Sequence, residues 1–209
     1  MNTRAVSLAF SSLLSITACI SDEELDFEVA ESEVAVNYNG QNLYGRNFEY
    51  ADLAYSTFIG ANATHAIFDD ANLQWTSFYG ATAGAASFRG ADLLRADFYG
   101  STTNNSNFFR ARLSYTRFYG ATSTGSDFRD SEMYRSTHTG ANLSYSDFRS
   151  ADARRATFLN TDLRHTKFNY ADLRGADFHG ADLREADLCG AIRDDDTFEG
   201  ANLAGARCP

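Results

Sequence analysis

Histidine and cysteine are scarce in this chain of 209 residues, which contains four histidines and three cysteines. The histidines are His65, His138, His165 and His179, and none belongs to the closely spaced Cys/His set that binds zinc. The sequence also lacks a nucleophile elbow and a phosphate-binding loop. These absences argue against an enzyme, and we expect no catalytic residue, no metal site and no cofactor.

Lysine and arginine are absent from residues 20 to 36, a segment that is rich in carboxylates. Such a segment usually repels itself and stays extended, which predicts a solvated tether. The alternative is a short capping helix with Leu25, Val29 and Val36 on one face. The seven acidic residues are Asp22, Glu23, Glu24, Asp26, Glu28, Glu31 and Glu33.

A long hydrophobic run is also missing from the N-terminus. The apolar stretch from Ala5 to Ala18 is interrupted by serines and is too short to span a bilayer as a permanent helix. Arg4 supplies a positive flank, so residues 1–18 are predicted to be an export signal.

The end of this segment reads Ile16, Thr17, Ala18, Cys19, which resembles the bacterial lipobox. The resemblance implies that Cys19 is acylated and becomes the first mature residue, with a non-lipidated signal or a buried N-terminal helix as the alternatives. Two or more acyl chains would hold the protein stably on a membrane. We expect a lipoprotein of a bacterial cell envelope, and Ile20 after the cysteine favours the outer membrane or periplasmic face.

A five-residue repeat fills the rest of the chain from Gln41 to Cys208 without an insertion. Each unit has a small first residue and a bulky third one, as in ADLRG ADFHG ADLRE ADLCG at 171–190. A fixed short repeat indicates a solenoid in which each unit contacts only its neighbours in the stack. Apolar residues five apart form no face on a helix, so four short sides closing a square are the natural solution.

A second period of twenty residues supports the square. One side carries Phe48, Phe68, Phe88, Phe108, Phe128, Phe148 and Phe168, and the opposite side carries Phe58, Phe78, Phe98, Phe118, Phe158 and Phe178 with His138 as the exception. The third side carries Leu53, Leu73, Leu93, Leu113 and Met133, and the fourth Leu43, Ala63, Ala83, Thr103, Ser123 and Leu143. Glycine recurs at Gly60, Gly80, Gly100, Gly120 and Gly140, as expected of a corner with positive φ.

The tandem A(D/N)LXX and A(D/N)FXX units resemble the pentapeptide repeat family. The resemblance covers about four fifths of the chain and implies an all-β fold, a right-handed quadrilateral β-helix of about eight coils. We therefore divide the chain into a signal peptide at 1–18, a lipidated Cys19 with an acidic tether or cap at 19–40, and a β-helix at 41–209.

The charge of the chain is concentrated in the acidic segment. The formal net charge is −10, yet the repeats carry 17 basic and 21 acidic residues and are only mildly acidic. The family includes quinolone-resistance proteins that mimic DNA and bind DNA gyrase, so a DNA-mimicking inhibitor or protector of gyrase is the alternative function. The export signal and the many arginines favour a structural or protein-interaction rod instead.

Two columns of exposed aromatic residues are the candidate partner-binding surface. Tyr55, Trp75, Arg95, Tyr115 and Arg135 recur at twenty residues, and so do Tyr79, Tyr99 and Tyr119. Trp75, Tyr79, Tyr99, Tyr115 and Tyr119 are predicted to contact an unknown protein or an envelope polymer. The other interpretation is that these ladders only stabilise neighbouring coils. Nucleic acid is not expected, because no net basic surface would drive counterion release.

The remaining polar residues are read from their place in the repeat. His138 replaces a phenylalanine and is predicted to be a core imidazole bonded to backbone. Arg193 falls on an inward phase of the repeat and Asp196 on a small-residue phase, which indicates a distorted side or a small outward bulge. Cys208 falls one coil after Leu188 and beside Cys189, at a separation that suits a disulfide. Without such a staple the last coil would fray or pair with a second molecule, and the family resemblance implies a homodimer through a coil end.

Overall fold

The backbone winds into stacked coils of twenty residues in the computed structural model, which describes residues 35–195 and 197–209. Parallel bridges join residue i to residue i+20, from Asn37↔Thr57 to Asp187↔Arg207. The first bridge lies four residues before Gln41, where the sequence places the start of the repeats. The period of twenty residues that the sequence predicts is therefore the number of residues in one coil.

Each five-residue unit forms one short side and one turn. Over 35–195 and 197–209 there is no helix and no strand longer than a single bridge residue, because two turn residues follow each side. The expected β-helix is thus built from isolated parallel bridges rather than continuous strands. No helix among these residues is long and apolar enough to cross a membrane.

The backbone hydrogen bonds show how one side is held to the next coil. Leu43 donates its N–H to the carbonyl of Asn62 at 2.7 Å, and Asn62 donates to Gln41 at 2.9 Å. The turn is closed within the unit, where Arg46 donates to the carbonyl of Leu43 at 3.0 Å. This pattern recurs along the rod and satisfies donors that would otherwise be buried without partners.

The core consists of the four inward columns that the sequence predicts. Phe98 stacks on Phe118 in its own column with centroids 4.7 Å apart, and meets Phe108 of the opposite column edge-on at 5.9 Å. Both arrangements are favourable for aromatic rings. The leucine column and the small residues Ala63, Ala83, Thr103 and Ser123 are likewise buried. A narrow core filled by rings from two sides leaves the outer surface as the place for a binding site.

The last coil departs from the regular pattern, as the sequence predicts. The ladder has no bridge between Asp177 and Thr197, and Gly180 donates its N–H to Gly200 at 3.1 Å, one residue further on than its counterparts. Arg193 is exposed although its phase in the repeat is inward, which agrees with the distorted side or outward bulge that the sequence indicates. Its guanidinium lies 5.5 Å from the ring centroid of Phe198, because a charged group stays in water while its stem covers an apolar surface.

Candidate interaction surface

One candidate column consists of Tyr79, Tyr99 and Tyr119, which we call the tyrosine column. All three occupy the turn after a phenylalanine side and remain between 39% and 49% exposed. Tyr79 and Tyr99 stack with centroids 5.2 Å apart and planes within 3°, whereas Tyr119 is tilted by 34° from Tyr99. Stacked rings turn their edges and hydroxyl groups outward, so the column offers hydrogen bonds as well as apolar area.

The second candidate column contains Trp75 and Tyr115 at the corner that precedes the tyrosine side. Trp75 stacks on Tyr55 at 6.3 Å, and the guanidinium of Arg95 lies 4.5 Å from the Trp75 centroid and 5.4 Å from that of Tyr115. Tyr134 meets Tyr115 edge-on and carries the guanidinium of Arg135 at 5.6 Å. We call this column, extended by one more coil, the corner strip. Its residues are Tyr55, Trp75, Arg95, Tyr115, Arg135 and Arg155.

The two columns lie on successive units of the coil and border the same short side. In the coil of Trp75 and Tyr79 the residues between them are 76–78, of which Thr76 and Phe78 are buried and Ser77 points outward. The next coils place Asp97 and Arg117 at the same position, paired at 2.8 Å. The five aromatic residues that the sequence singles out therefore frame one side of the rod.

The sequence does not reveal that every residue of the corner strip has positive φ. The values run from 55° at Arg135 to 60° at Tyr55, Arg95 and Tyr115. The equivalent corner near the tyrosine column uses glycine, as at Gly80 and Gly100. The other three corners include Gly, Asn or Asp residues over the same coils, whereas the strip has none from Tyr55 to Arg155.

This backbone conformation is expensive for large side chains. A left-handed residue other than glycine costs roughly 1 to 2 kcal/mol. A cross-strand side-chain pair returns only about 0.2 to 1 kcal/mol. The same conformation recurs at the last residue of nearly every unit, as at Tyr50, His65 and Arg110, so it is a property of the turn and does not distinguish the strip.

Most arginines of the rod pair with an aspartate, either two residues earlier or one coil away. Most arginines that follow an aspartate by two residues clamp it, as Arg154 clamps Asp152 at 2.6 Å and Arg184 clamps Asp182 at 2.7 Å. The bond from Arg154 lowers the pKa of Asp152 below its usual value and raises the pKa of the guanidinium. Over 35–195 and 197–209, by contrast, no ion pair or side-chain hydrogen bond joins the three arginines of the corner strip to another group.

The histidines lie apart and do not form a site. His65 packs against Tyr44 and His165 stacks on Tyr145, in the same column but five coils apart. No group of three metal-ligating side chains occurs over residues 35–195 and 197–209.

His138 is fully buried between Phe118 and Phe158, with centroids at 5.1 and 4.9 Å. Its Nε2 bonds the hydroxyl of Ser136 at 3.0 Å and its Nδ1 has no partner. The expected bond from this imidazole to backbone is therefore wrong. The hydroxyl of Ser136 points into the same core and is the hydrogen-bond partner of the ring in place of a backbone group.

The cysteines occupy two different parts of the chain. Cys189 and Cys208 are joined by a disulfide with Cα atoms 4.9 Å apart. Cys19, the predicted lipidation site, lies outside the described residues, as do the signal peptide, most of the acidic tether and Asp196.

Comparison with family models identifies the repeat units. A model described as pentapeptide repeats matches residues 139–169 and 158–192, and one described as a pentapeptide repeat region matches residues 34–108. Together they span more than half of the chain. No curated protein matches the chain.

Solved structures give the same fold. A trypsin-treated form of QnrB1, a plasmid-mediated fluoroquinolone resistance protein, is 22% identical over 83% of this chain and 89% of that one, with a TM-score of 0.53. HetL, from the cyanobacterium Nostoc and involved in heterocyst differentiation regulation, is 23% identical over 82% and 86%, with a TM-score of 0.45. The likeness to QnrB1 implies a right-handed quadrilateral β-helix and says nothing of the partner.

Proposed function

Because the chain belongs to the pentapeptide repeat family, we propose that it is an exported, lipid-anchored rod of about eight coils that binds a partner at the bacterial cell envelope. The rod acts by binding and performs no catalysis. A fold of this kind serves many tasks, so the function rests on the surface and not on the family.

The observation that carries the proposal is the pair of aromatic columns on one side of the rod. Solvent-exposed aromatic residues and arginine are enriched where proteins bind each other. Tyr79, Tyr99 and Tyr119 lie along one corner of this side, and Trp75 and Tyr115 along the other. The continuous backbone ladder keeps both columns in place, so binding requires little ordering of the rod.

The N-terminal residues supply the location. The charged flank, the short apolar stretch and Cys19 together favour export and acylation. An extended acidic tether after Cys19 would hold the rod away from an anionic membrane surface.

DNA mimicry directed at gyrase is the alternative, and the surface charge favours it less. A DNA mimic needs rows of free carboxylates, whereas arginines clamp Asp152, Asp162, Asp172 and Asp182 in the C-terminal half. The clamps neutralise much of the negative potential on these sides.

The proposal is tested by capturing the partner with the exported protein. We expect Tyr99→Ser combined with Tyr119→Ser to weaken recovery of a cross-linked envelope partner and to leave the melting temperature almost unchanged. Tyr50→Ser combined with Tyr170→Ser is the matched control, because both tyrosines are exposed on another corner. Loss of stability with unchanged partner recovery would instead show that the tyrosine column only supports the coils.

A further inference from the structure

The corner strip presents a straight row of hydrogen-bond donors. Both ring faces of Trp75 are covered, by Tyr55 on one side and Arg95 on the other, so only the indole edge and its N–H remain accessible. Stacking fixes the Arg95 guanidinium by its plane and leaves its edge free for hydrogen bonds. Arg135 is held in a similar way by Tyr134.

The charges on both sides of the strip are largely paired with each other. The outward column on the preceding side carries Asp92, Glu132 and Asp152, and Arg112 and Arg154 pair with them. The outward column on the following side contains Asp97 and Arg117, which also pair with each other. The guanidiniums of Arg95, Arg135 and Arg155 lie along the corner between these columns, and no ion pair joins them to a carboxylate of the described residues.

The strip has the length and direction of a polymer site. It runs along the rod axis for five coil steps, which is about 24 Å at the spacing of paired strands. It ends beside a groove where Gly175 has no side chain and where Arg154, Arg174 and Asp194 line the walls. A linear ligand that advances by one unit per coil would meet a donor at each step.

We propose that the corner strip binds a linear acidic glycan, with the guanidiniums of Arg95, Arg135 and Arg155 pairing with its carboxylates. This inference rests on the proposed role as a binding rod and names the ligand of one corner. Planar guanidiniums pair with carboxylates through two parallel hydrogen bonds, and the hydroxyl-rich sugar accepts from the indole and phenol edges. A 1→4-linked pyranose unit is about as long as one coil is high, and where successive units alternate in orientation the carboxylates on one face repeat at about two coil heights, which is the separation of Arg95 from Arg135.

Other anionic polymers fit the strip less well. Side chains on one face of an extended peptide repeat at roughly 6.6 Å, so an acidic peptide would leave the coil register of about 4.8 Å within two steps. Single-stranded nucleic acid binds by stacking its bases on aromatic faces, and those faces are occupied here by neighbouring side chains.

The test titrates the purified full-length protein at low salt with an oligomannuronate, and with the neutral β-1,4-mannooligosaccharide of equal length. We expect binding of the acidic sugar only. Arg95→Gln, Arg135→Gln and Arg155→Gln together should weaken it by at least about tenfold, because charge-assisted pairs are lost. The matched control removes three free arginines elsewhere, through Arg46→Gln, Arg89→Gln and Arg110→Gln, and should bind almost normally.

Three results would overturn the inference. They are an absence of oligomannuronate binding by the native protein, an equal loss in the control variant, and tighter binding of oligothymidylate or polyglutamate of equal charge. Replacing the same three strip arginines with lysine keeps the charge and should restore part of the affinity if the variants fold. The Tyr99→Ser and Tyr119→Ser variant should keep its affinity for the sugar. A lack of sugar binding would therefore overturn the glycan inference without deciding whether the tyrosine column binds a protein, which the cross-linking experiment tests separately.

Discussion

At the scale of single residues, His138 shows how a repeat tolerates a polar substitution. The imidazole is flat enough to stack between Phe118 and Phe158 and so preserves the aromatic column. The buried Nδ1 destabilises the folded state, because it loses its hydration and gains no hydrogen-bond partner. Burial also lowers the pKa of His138 to about 3.

The lowered pKa predicts a dependence of stability on pH. The unfolded chain takes up a proton on this histidine below about pH 6.5, whereas the folded chain stays neutral down to about pH 3. The stability that the neutral imidazole contributes is therefore complete above pH 6.5 and is lost as pH falls toward 3. Between pH 6.5 and 5 the free energy of unfolding should fall by roughly 1.5 kcal/mol.

Denaturant titrations of the native protein and of His138→Phe measure this difference. The variant restores the phenylalanine column, so we expect higher stability and a flatter profile between pH 6.5 and 5. The clamped aspartates, such as Asp152, have a lowered pKa because of the hydrogen bond from arginine. Their contribution is lost mainly at still lower pH, as pH falls through their folded pKa values. Parallel profiles for the two proteins would show that His138 does not titrate as its burial requires.

At the scale of the coil, the sequence predicted the features that follow from the repeat period, namely which residues are buried and where glycine forms a corner. Phe98, Leu73 and Ala83 are buried where the repeat places them, and Gly80 has the expected positive φ. Trp75 and the rest of the corner strip have positive φ because they are the last residues of their units, like Gly80, although nothing in their side chains favours the left-handed region. Arg193 is exposed although its phase is inward, because hydration of its charge outweighs the phase.

The sequence predicted the alignment of the aromatic residues on the candidate surface but not the pairing of its arginines. Period twenty alone aligned Tyr79 with Tyr99 and Trp75 with Tyr115. It left undetermined which arginines are free, because that depends on geometry within a unit. An arginine two residues after an aspartate reaches back to it, as Arg174 reaches Asp172, whereas Arg155 at the next position does not.

The last coil gives a prediction about local stability. The disulfide between Cys189 and Cys208 holds a segment in which the ladder is interrupted near Thr197. Closing a loop of about this size stabilises by roughly 3 kcal/mol. Cys189→Ser combined with Cys208→Ser should therefore speed hydrogen exchange of the amides at 198–207.

The amides of the regular coils provide the internal reference for that experiment. Each regular coil is held by its own ladder and aromatic stacking, so exchange at residues 62–128 should not change. Adding a reductant to the native protein should reproduce the effect of the double variant. Equally slow exchange at 198–207 in all three samples would show that the bridges at Asn202 and Arg207 hold the coil without the disulfide.

At the scale of the whole molecule, the charge is divided unequally between two regions of the sequence. The segment from 20 to 36 carries seven carboxylates and no basic residue, while the repeats combine 17 basic with 21 acidic residues. Pairing within the rod, as in the clamp of Arg164 on Asp162, lets it be charged without strong self-repulsion. The same pairing leaves a minority of the arginines unpaired, among them the three of the corner strip.

The proposed export and acylation would set the compartment in which these surfaces act, and they predict the mass of the N-terminal peptide. When the full chain is produced in a bacterium and the membranes are separated from the soluble fraction, the N-terminal peptide should begin at Cys19 and carry the mass of its acyl chains. It should be found in the membranes, because two or more chains anchor a protein stably. Cys19→Ala removes the thiol that accepts the lipid and should leave an unprocessed or soluble protein. Native protein that starts at Met1 in the soluble fraction would contradict the envelope assignment and would make inhibition of gyrase supercoiling the next assay.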